Sequence, residues 1–194
     1  RYGRPSIAEK LASFKVNGIK TVKILPLYPQ HSDTTTASVY DAVKNAVKKL
    51  NWQPRIIKIP AYYNDSRYIE LLQNQVVQHF KTLEFVADSL LVSFHGIPQK
   101  NVNKGDPYYE QCLKTFGLLQ KALKNKINCD IKLSFQSRFG PKKWLKPYTT
   151  EVLTGCAKAK QNVVVISPGF ATDCLETLEE LSVTERDLFL QKGG

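Results

Sequence analysis

The sequence predicts an α/β fold with parallel strands flanked by helices. Three observations carry this: apolar runs of strand length, longer amphipathic stretches between them, and strict alternation of the two. Alternation of this kind requires crossover connections, which place helices on both faces of an open parallel sheet. In chain order, a helix over Ser6–Val16 opens at a serine and leads to a strand over Thr21–Leu27. Thr35–Leu50 then reads as helix, Arg55–Ile59 as strand, Ser66–Phe85 as helix and Ser89–Phe94 as a strand of the buried pattern. Gly105-Asp106-Pro107-Tyr108 is a turn feeding a helix over Tyr108–Lys126, with Pro107 near its first position. A strand over Ile131–Phe135, a helix over Tyr148–Lys158, a strand over Asn162–Ser167 and a helix over Asp173–Leu181 complete the series.

The chain has 194 residues, 42% apolar and 23% charged, a composition that excludes global disorder, collagen and coiled coil. The net charge is +11, and residues 1 to 60 carry most of it, with 11 basic and 3 acidic side chains. No run of five like charges occurs among them, which suits a solvated helix face, so no nucleic-acid partner is expected. Cys112, Cys129, Cys156 and Cys174 form no C-x-x-C pair, which argues against a zinc knuckle or a ferredoxin-type cluster. No apolar run reaches about 18 residues, and the start lacks a signal-peptide stretch. A cytoplasmic enzyme with at most peripheral membrane contact is expected.

In open α/β sheets ligands bind beyond the carboxyl ends of the strands. The loops to inspect are therefore those at Tyr28–His31, His95–Pro98, Gln136–Gly140 and Pro168–Asp173. Neither G-x-G-x-x-G nor G-x-x-x-x-G-K-[ST] occurs, so no dinucleotide or nucleoside triphosphate is indicated. Asp173, Glu176 and Glu180 fall at i, i+3 and i+7, one face of an α-helix, with Leu175, Leu178 and Leu181 opposite. Such a file of acids suits a hard divalent cation, and it equally describes an exposed acidic face at a helix start. His95, held in a turn by Gly96 and Pro98 at the tip of an apolar strand, can serve as base or ligand near neutral pH. His79 reads as structural and His31 stays open. Tyr28, Phe139, Trp144 and Phe170 could wall a flat apolar ligand, and Arg1, Ser137 and Arg138 could hold its carboxylates.

At these loops the sequence resembles the ferrochelatase family, whose members insert ferrous iron into protoporphyrin. The resemblance rests on Arg1-Tyr2-Gly3, Leu27-Tyr28-Pro29-Gln30, Ser93-Phe94-His95-Gly96-Ile97-Pro98, Gly105-Asp106-Pro107-Tyr108 and Phe135-Gln136-Ser137-Arg138-Phe139-Gly140 with Trp144-Leu145. Pro168-Gly169-Phe170, continuing through Asp173-Cys174-Leu175-Glu176-Thr177-Leu178, completes it, in the wording of the proteobacterial branch. The resemblance implies that His95 and Glu176 are the essential pair at the metal-insertion site, with Asp173 and Glu180 as further acids of a channel. It implies that Arg1, Tyr28, Ser137 and Trp144 line the porphyrin pocket, Ser137 touching a propionate. Protoporphyrin IX and Fe²⁺ would be the substrates, without a resident cofactor.

The resemblance also implies two Rossmann-like domains, residues 1–86 as the remainder of an incomplete first domain and 87–194 as the second. On this comparison the chain reads as a fragment lacking the amino-terminal part. Asp33 stands where animal members have the first cysteine of a [2Fe–2S] cluster, and no cysteine follows Cys174, so no cluster is expected. A chelatase for cobalt or nickel on the same fold, and more remotely a non-enzymatic basic binding module, are the alternatives.

Overall fold

The computed structural model describes residues 3–194, and its elements follow the expected alternation. Helix α1 (Ile7–Val16) begins at Ser6, whose hydroxyl accepts the Glu9 N–H at 3.2 Å. The Glu9 carboxylate accepts the Ser6 N–H in return at 2.7 Å, so two helix-end donors are satisfied reciprocally. Strands β1 (Thr21–Ile24) and β2 (Arg55–Lys58) pair in parallel, with Thr21 opposite Arg55. Between them a short π-helix (Asp33–Ala37) runs into α2 (Ser38–Lys49). Leu11, Val22, Val43 and Ala46 form the core of this compact unit, which ends at Ala61. The first strand is shorter than its apolar run predicts. Its last rung is the bond from Ile59 N–H to Ile24 C=O at 2.9 Å, and Pro26 and Pro60 beyond it have no N–H to extend the ladder.

The second unit runs from Tyr62 to Gly194. It contains α3 (Ser66–Thr82), β3 (Ser89–His95), α4 (Gln99–Asn103), α5 (Tyr108–Leu123), β4 (Asp130–Gln136), α6 (Thr149–Lys158) and β5 (Val163–Ile166). A π-helix (Glu176–Glu185) and α7 (Arg186–Gln191) follow. The sheet order is β4-β3-β5, all parallel, with β3 paired to β4 from Ser89↔Asp130 to His95↔Gln136. As the central strand, β3 is buried at every position but His95, which explains its mainly apolar composition.

Helix α3 packs Ile69, Leu72 and Val76 into one core with Leu90, Val92, Phe94, Leu119, Leu123 and Phe135. The boundary expected at residue 86 and the packing boundary after residue 61 therefore differ by this helix. Its sequence reveals an apolar face and not the sheet that receives it. Among the described residues, no helix is long and apolar enough to cross a membrane.

Candidate functional site

Pleating sorts the tips of β3 and β4 by chemistry. Successive strand residues face opposite sides, so Ser93 and His95 of β3 share a face with their register partners Ser134 and Gln136 of β4. Phe94 and Phe135 face the other way into the core, their ring centroids 6.2 Å apart. The polar face is wired internally. The Ser93 hydroxyl donates to Gln136 Oε1 at 2.9 Å, Thr149 Oγ1 donates to Ser134 Oγ at 2.9 Å, and the Ser93 and Thr149 hydroxyls lie 2.9 Å apart.

His95 sits half-buried at the tip of β3. Its Nδ1 lies 2.5 Å from the Gly96 carbonyl, which can only accept, so the proton is assigned to Nδ1 and the Nε2 lone pair is left open. The Tyr108 hydroxyl donates to the His95 carbonyl at 2.8 Å, and burial pushes that phenol well above its ordinary range, keeping it a donor. Gly96 admits no side chain: a Cβ there would stand 2.9 Å from the Gln136 carbonyl and 3.3 Å from the Trp144 ring. Trp144 is thereby packed against the His95 turn, and the Leu145 N–H to Ile97 C=O bond at 3.0 Å ties the two loops. Phe170 lies edge-on to the His95 ring, centroids 6.2 Å apart.

The acids are arranged differently from the α-helical expectation. The segment Glu176–Glu185 is a π-helix, in which the Ser182 hydroxyl donates to the Thr177 carbonyl and the Thr184 hydroxyl to the Glu179 carboxylate, each five residues back. At about 4.4 residues per turn, Glu176, Glu180 and Glu185 form the file, and Asp173 precedes the helix. Asp173 is exposed and accepts from Thr177 Oγ1 at 3.1 Å. Leu175 and Leu178, expected opposite the acids, are 73% and 59% exposed. The Glu176 carboxylate faces the Cys174 thiol, whose pKa is raised by burial first and by that carboxylate second.

Glu180 is tightly held. Its Oε1 accepts the Ser137 N–H at 2.6 Å, and its Oε2 accepts the Ser137 hydroxyl at 2.6 Å and Gln136 Nε2 at 3.1 Å. Ser137 makes this clamp from a left-handed backbone, φ 62°. The sequence reading gave Gln136 no role, yet its amide also donates to the Glu176 carbonyl at 3.1 Å. His95 and Glu176 are thus joined through Gln136, one by strand register and the other by its backbone. Among the described residues, no group of three or more His, Cys, Asp or Glu side chains is close enough to hold a metal ion by itself.

The remaining candidates belong to different parts of the chain. Arg1 lies outside the described residues. Tyr28, 38% exposed, and His31, 3.8 Å from the Asp33 carboxylate, belong to the first unit. Arg138 stacks over the Tyr148 ring at 4.7 Å, and Phe139 is 83% exposed. A groove of about 1040 Å³ runs along edge strand β5, lined by Tyr68, Val164, Phe170, Glu185 and Phe189 among others. It contains neither His95 nor Glu176, although the candidate Asp173 lines it.

Sequence reasoning also missed Glu185, whose place in a Glu185-Arg186-Asp187 run suggests a solvated helix. It is 7% exposed: Thr150 Oγ1 donates to its Oε1 at 2.5 Å, and its Oε2 is buried without a partner among the described residues. Burial, and secondarily the charge of Glu180, raise its pKa above the ordinary 4.5. The folded state therefore keeps this proton to higher pH than the unfolded chain does, and stability is lost as pH rises through the folded value. Glu185→Gln is expected to raise stability by about 1 kcal/mol near neutral pH, with the gain vanishing near pH 4, as read by urea denaturation across pH. A pH-independent difference would contradict this account.

The Ferrochelatase family model matches residues 1–194. The chain is 51% identical over 195 aligned residues to ferrochelatases of Francisella tularensis subsp. tularensis (strain WY96-3418) and subsp. mediasiatica (strain FSC147). The same identity holds for the ferrochelatase of subsp. novicida (strain U112), and in each case the alignment covers 100% of this chain. The chain spans 59% of the length of these relatives. With a match along its whole length, the chain belongs to the ferrochelatase family.

Proposed function

We propose that this chain carries the metal-insertion site of a ferrochelatase, which exchanges the two pyrrole N–H protons of protoporphyrin IX for Fe²⁺ to give protohaem and two protons. One observation carries the reading: an imidazole with an open Nε2 at the tip of β3 is joined, through Gln136, to a π-helix bearing Glu176 and Glu180. Insertion requires a base for the pyrrole protons and weak, exchangeable ligands for a metal in transit. The His95 ring supplies the first, accepting a proton at Nε2, and oxygen donors on the π-helix supply the second. A closed thiolate cage would instead retain the ion.

In this reading Glu176 completes the pair with His95, and Asp173 and Glu180 line the route for the cation or for departing protons. Trp144 walls the macrocycle beside the His95 turn, and Arg1 and Tyr28 complete the pocket. Ser137 touches a propionate only by giving up its hydroxyl bond to Glu180. No resident cofactor is required, since iron is a substrate. The compartment we propose is the cytoplasm, where reducing conditions keep the four thiols and ferrous iron reduced.

The test is the loss of metal-free protoporphyrin fluorescence on adding Fe²⁺ anaerobically, using the full-length gene product carrying this sequence. Fe²⁺-dependent loss with protoporphyrin, exceeding that with sirohydrochlorin, is the expected result. Turnover of sirohydrochlorin with Co²⁺ or Ni²⁺ alone would replace this reading with another chelatase.

A further inference from the structure

We propose that Gln136 is a positioning residue for metal insertion, its side-chain amide setting the π-helix acids against the His95 strand tip. This inference rests on the metal-insertion reading above and adds a residue to it.

Gln136 is 2% exposed at the end of β4, directly opposite His95 in the register. All its polar capacity toward neighbouring elements is used in one sense. Oε1 accepts from the hydroxyls of Ser93 at 2.9 Å and Ser167 at 3.3 Å, anchoring the amide to β3 and to the end of β5. Nε2 donates to the Glu176 carbonyl at 3.1 Å and to Glu180 Oε2 at 3.1 Å. With donors on one side and acceptors on the other, the amide has a single satisfactory orientation. Reversing it would point its oxygen at a carbonyl and a carboxylate.

A buried amide in this setting does more than complete a core. A π-helix is the less favourable helical geometry, and both contacts to Gln136 fall in its first turn, at Glu176 and Glu180. The same amide fixes the Glu176 backbone and makes no bond to its carboxylate, which faces the Cys174 thiol. Glu180 is held from below by Gln136 and from the loop by Ser137, which gives it two supports. Glu176 has only the Gln136 amide as a side-chain donor to its carbonyl, so Glu176 placement is the more sensitive to its loss.

The experiment compares Gln136→Met, which keeps volume and removes the amide, and Gln136→Glu, which keeps the acceptor and removes the donor. Both are made in the full-length gene product carrying this sequence. The readouts are kcat, KM for Fe²⁺ and KM for protoporphyrin, at a temperature where circular dichroism shows each variant fully folded. The expected result is a kcat lower by about tenfold to a hundredfold with a raised Fe²⁺ KM, as for loss of a buried hydrogen-bond donor to a charged group, and an unchanged porphyrin KM.

A cycle with Glu180→Gln separates positioning from general support. If Gln136 acts through the π-helix acids, the double variant loses less than the product of the two single losses. Wild-type kcat and Fe²⁺ KM in Gln136→Glu, or losses that multiply in the cycle, would overturn the inference while leaving the metal-insertion reading intact. Absence of Fe²⁺-dependent turnover in the unmutated protein would instead remove that reading, and this inference with it. Should Gln136→Met fail to fold, the near-isosteric Gln136→Glu decides alone.

Discussion

His95→Ala is expected to lower Fe²⁺-dependent turnover by about 10²- to 10⁴-fold, the range typical of removing a positioned proton acceptor. The expectation follows from the tautomer. With Nδ1 committed to the Gly96 carbonyl, Nε2 alone can take a pyrrole proton or approach the metal, and no second imidazole of this unit shares the strand tip. His79, the other histidine of the unit, is exposed on α3 and lines the groove along β5. Removing the ring leaves the backbone anchor in place, because Tyr108 bonds the His95 carbonyl and not its side chain. The variant should therefore fold and bind protoporphyrin while losing insertion. Glu176→Gln should fall by a comparable factor, since the amide keeps the shape and loses the charge that a cation needs. Anaerobic fluorescence assays check both, and wild-type rates in either variant would remove that residue from the mechanism.

Much of this arrangement can be read from the amino acids, and the parts that cannot have identifiable causes. The apolar run Leu90–Phe94 announces a central parallel strand, and the histidine that ends it falls at the ligand-binding end by the general rule for open sheets. The serine and proline signals locate the starts of α1 and α5 to within a residue. The π-helix was not legible, because acids at i, i+3 and i+7 suit an α-helix and only the backbone of Glu176–Glu185 reveals the wider turn. That change of pitch removes Asp173 from the file and adds Glu185.

Gln136 was hidden for a different reason. The pattern places Gln136 in a loop at a strand's carboxyl end without showing what it bonds, and its burial follows from strand register and from three other segments converging on it. The partner of α3 was likewise beyond local pattern. Periodicity gives its apolar face, whereas contacts with Leu90, Leu119 and Leu123, distant in sequence, decide where that face docks.

Phe94→Ala is expected to destabilise the second unit by about 3 to 5 kcal/mol, the cost of emptying a large buried aromatic site. Phe94 has no exposed surface, pairs in register with Phe135, and stacks toward it at a 35° tilt. Phe135 in turn contacts Tyr109 at 5.7 Å, so the cavity would open between the sheet and α5, where rigid rings and a central strand leave little room to collapse. Phe94→Leu refills most of that volume and should cost less than about 1.5 kcal/mol. The two substitutions also separate packing from chemistry. Phe94 faces away from the polar side of the sheet, so at a temperature where Phe94→Leu is folded it should retain near-wild-type insertion rates, with His95 still held by Tyr108 and Gly96. Urea denaturation measures the first effect and the fluorescence assay the second. A cost near zero for Phe94→Ala would mean that the strand tip is not packed as described. A large rate loss in folded Phe94→Leu would mean that the apolar face, and not the hydrogen-bonded polar face alone, sets the position of His95.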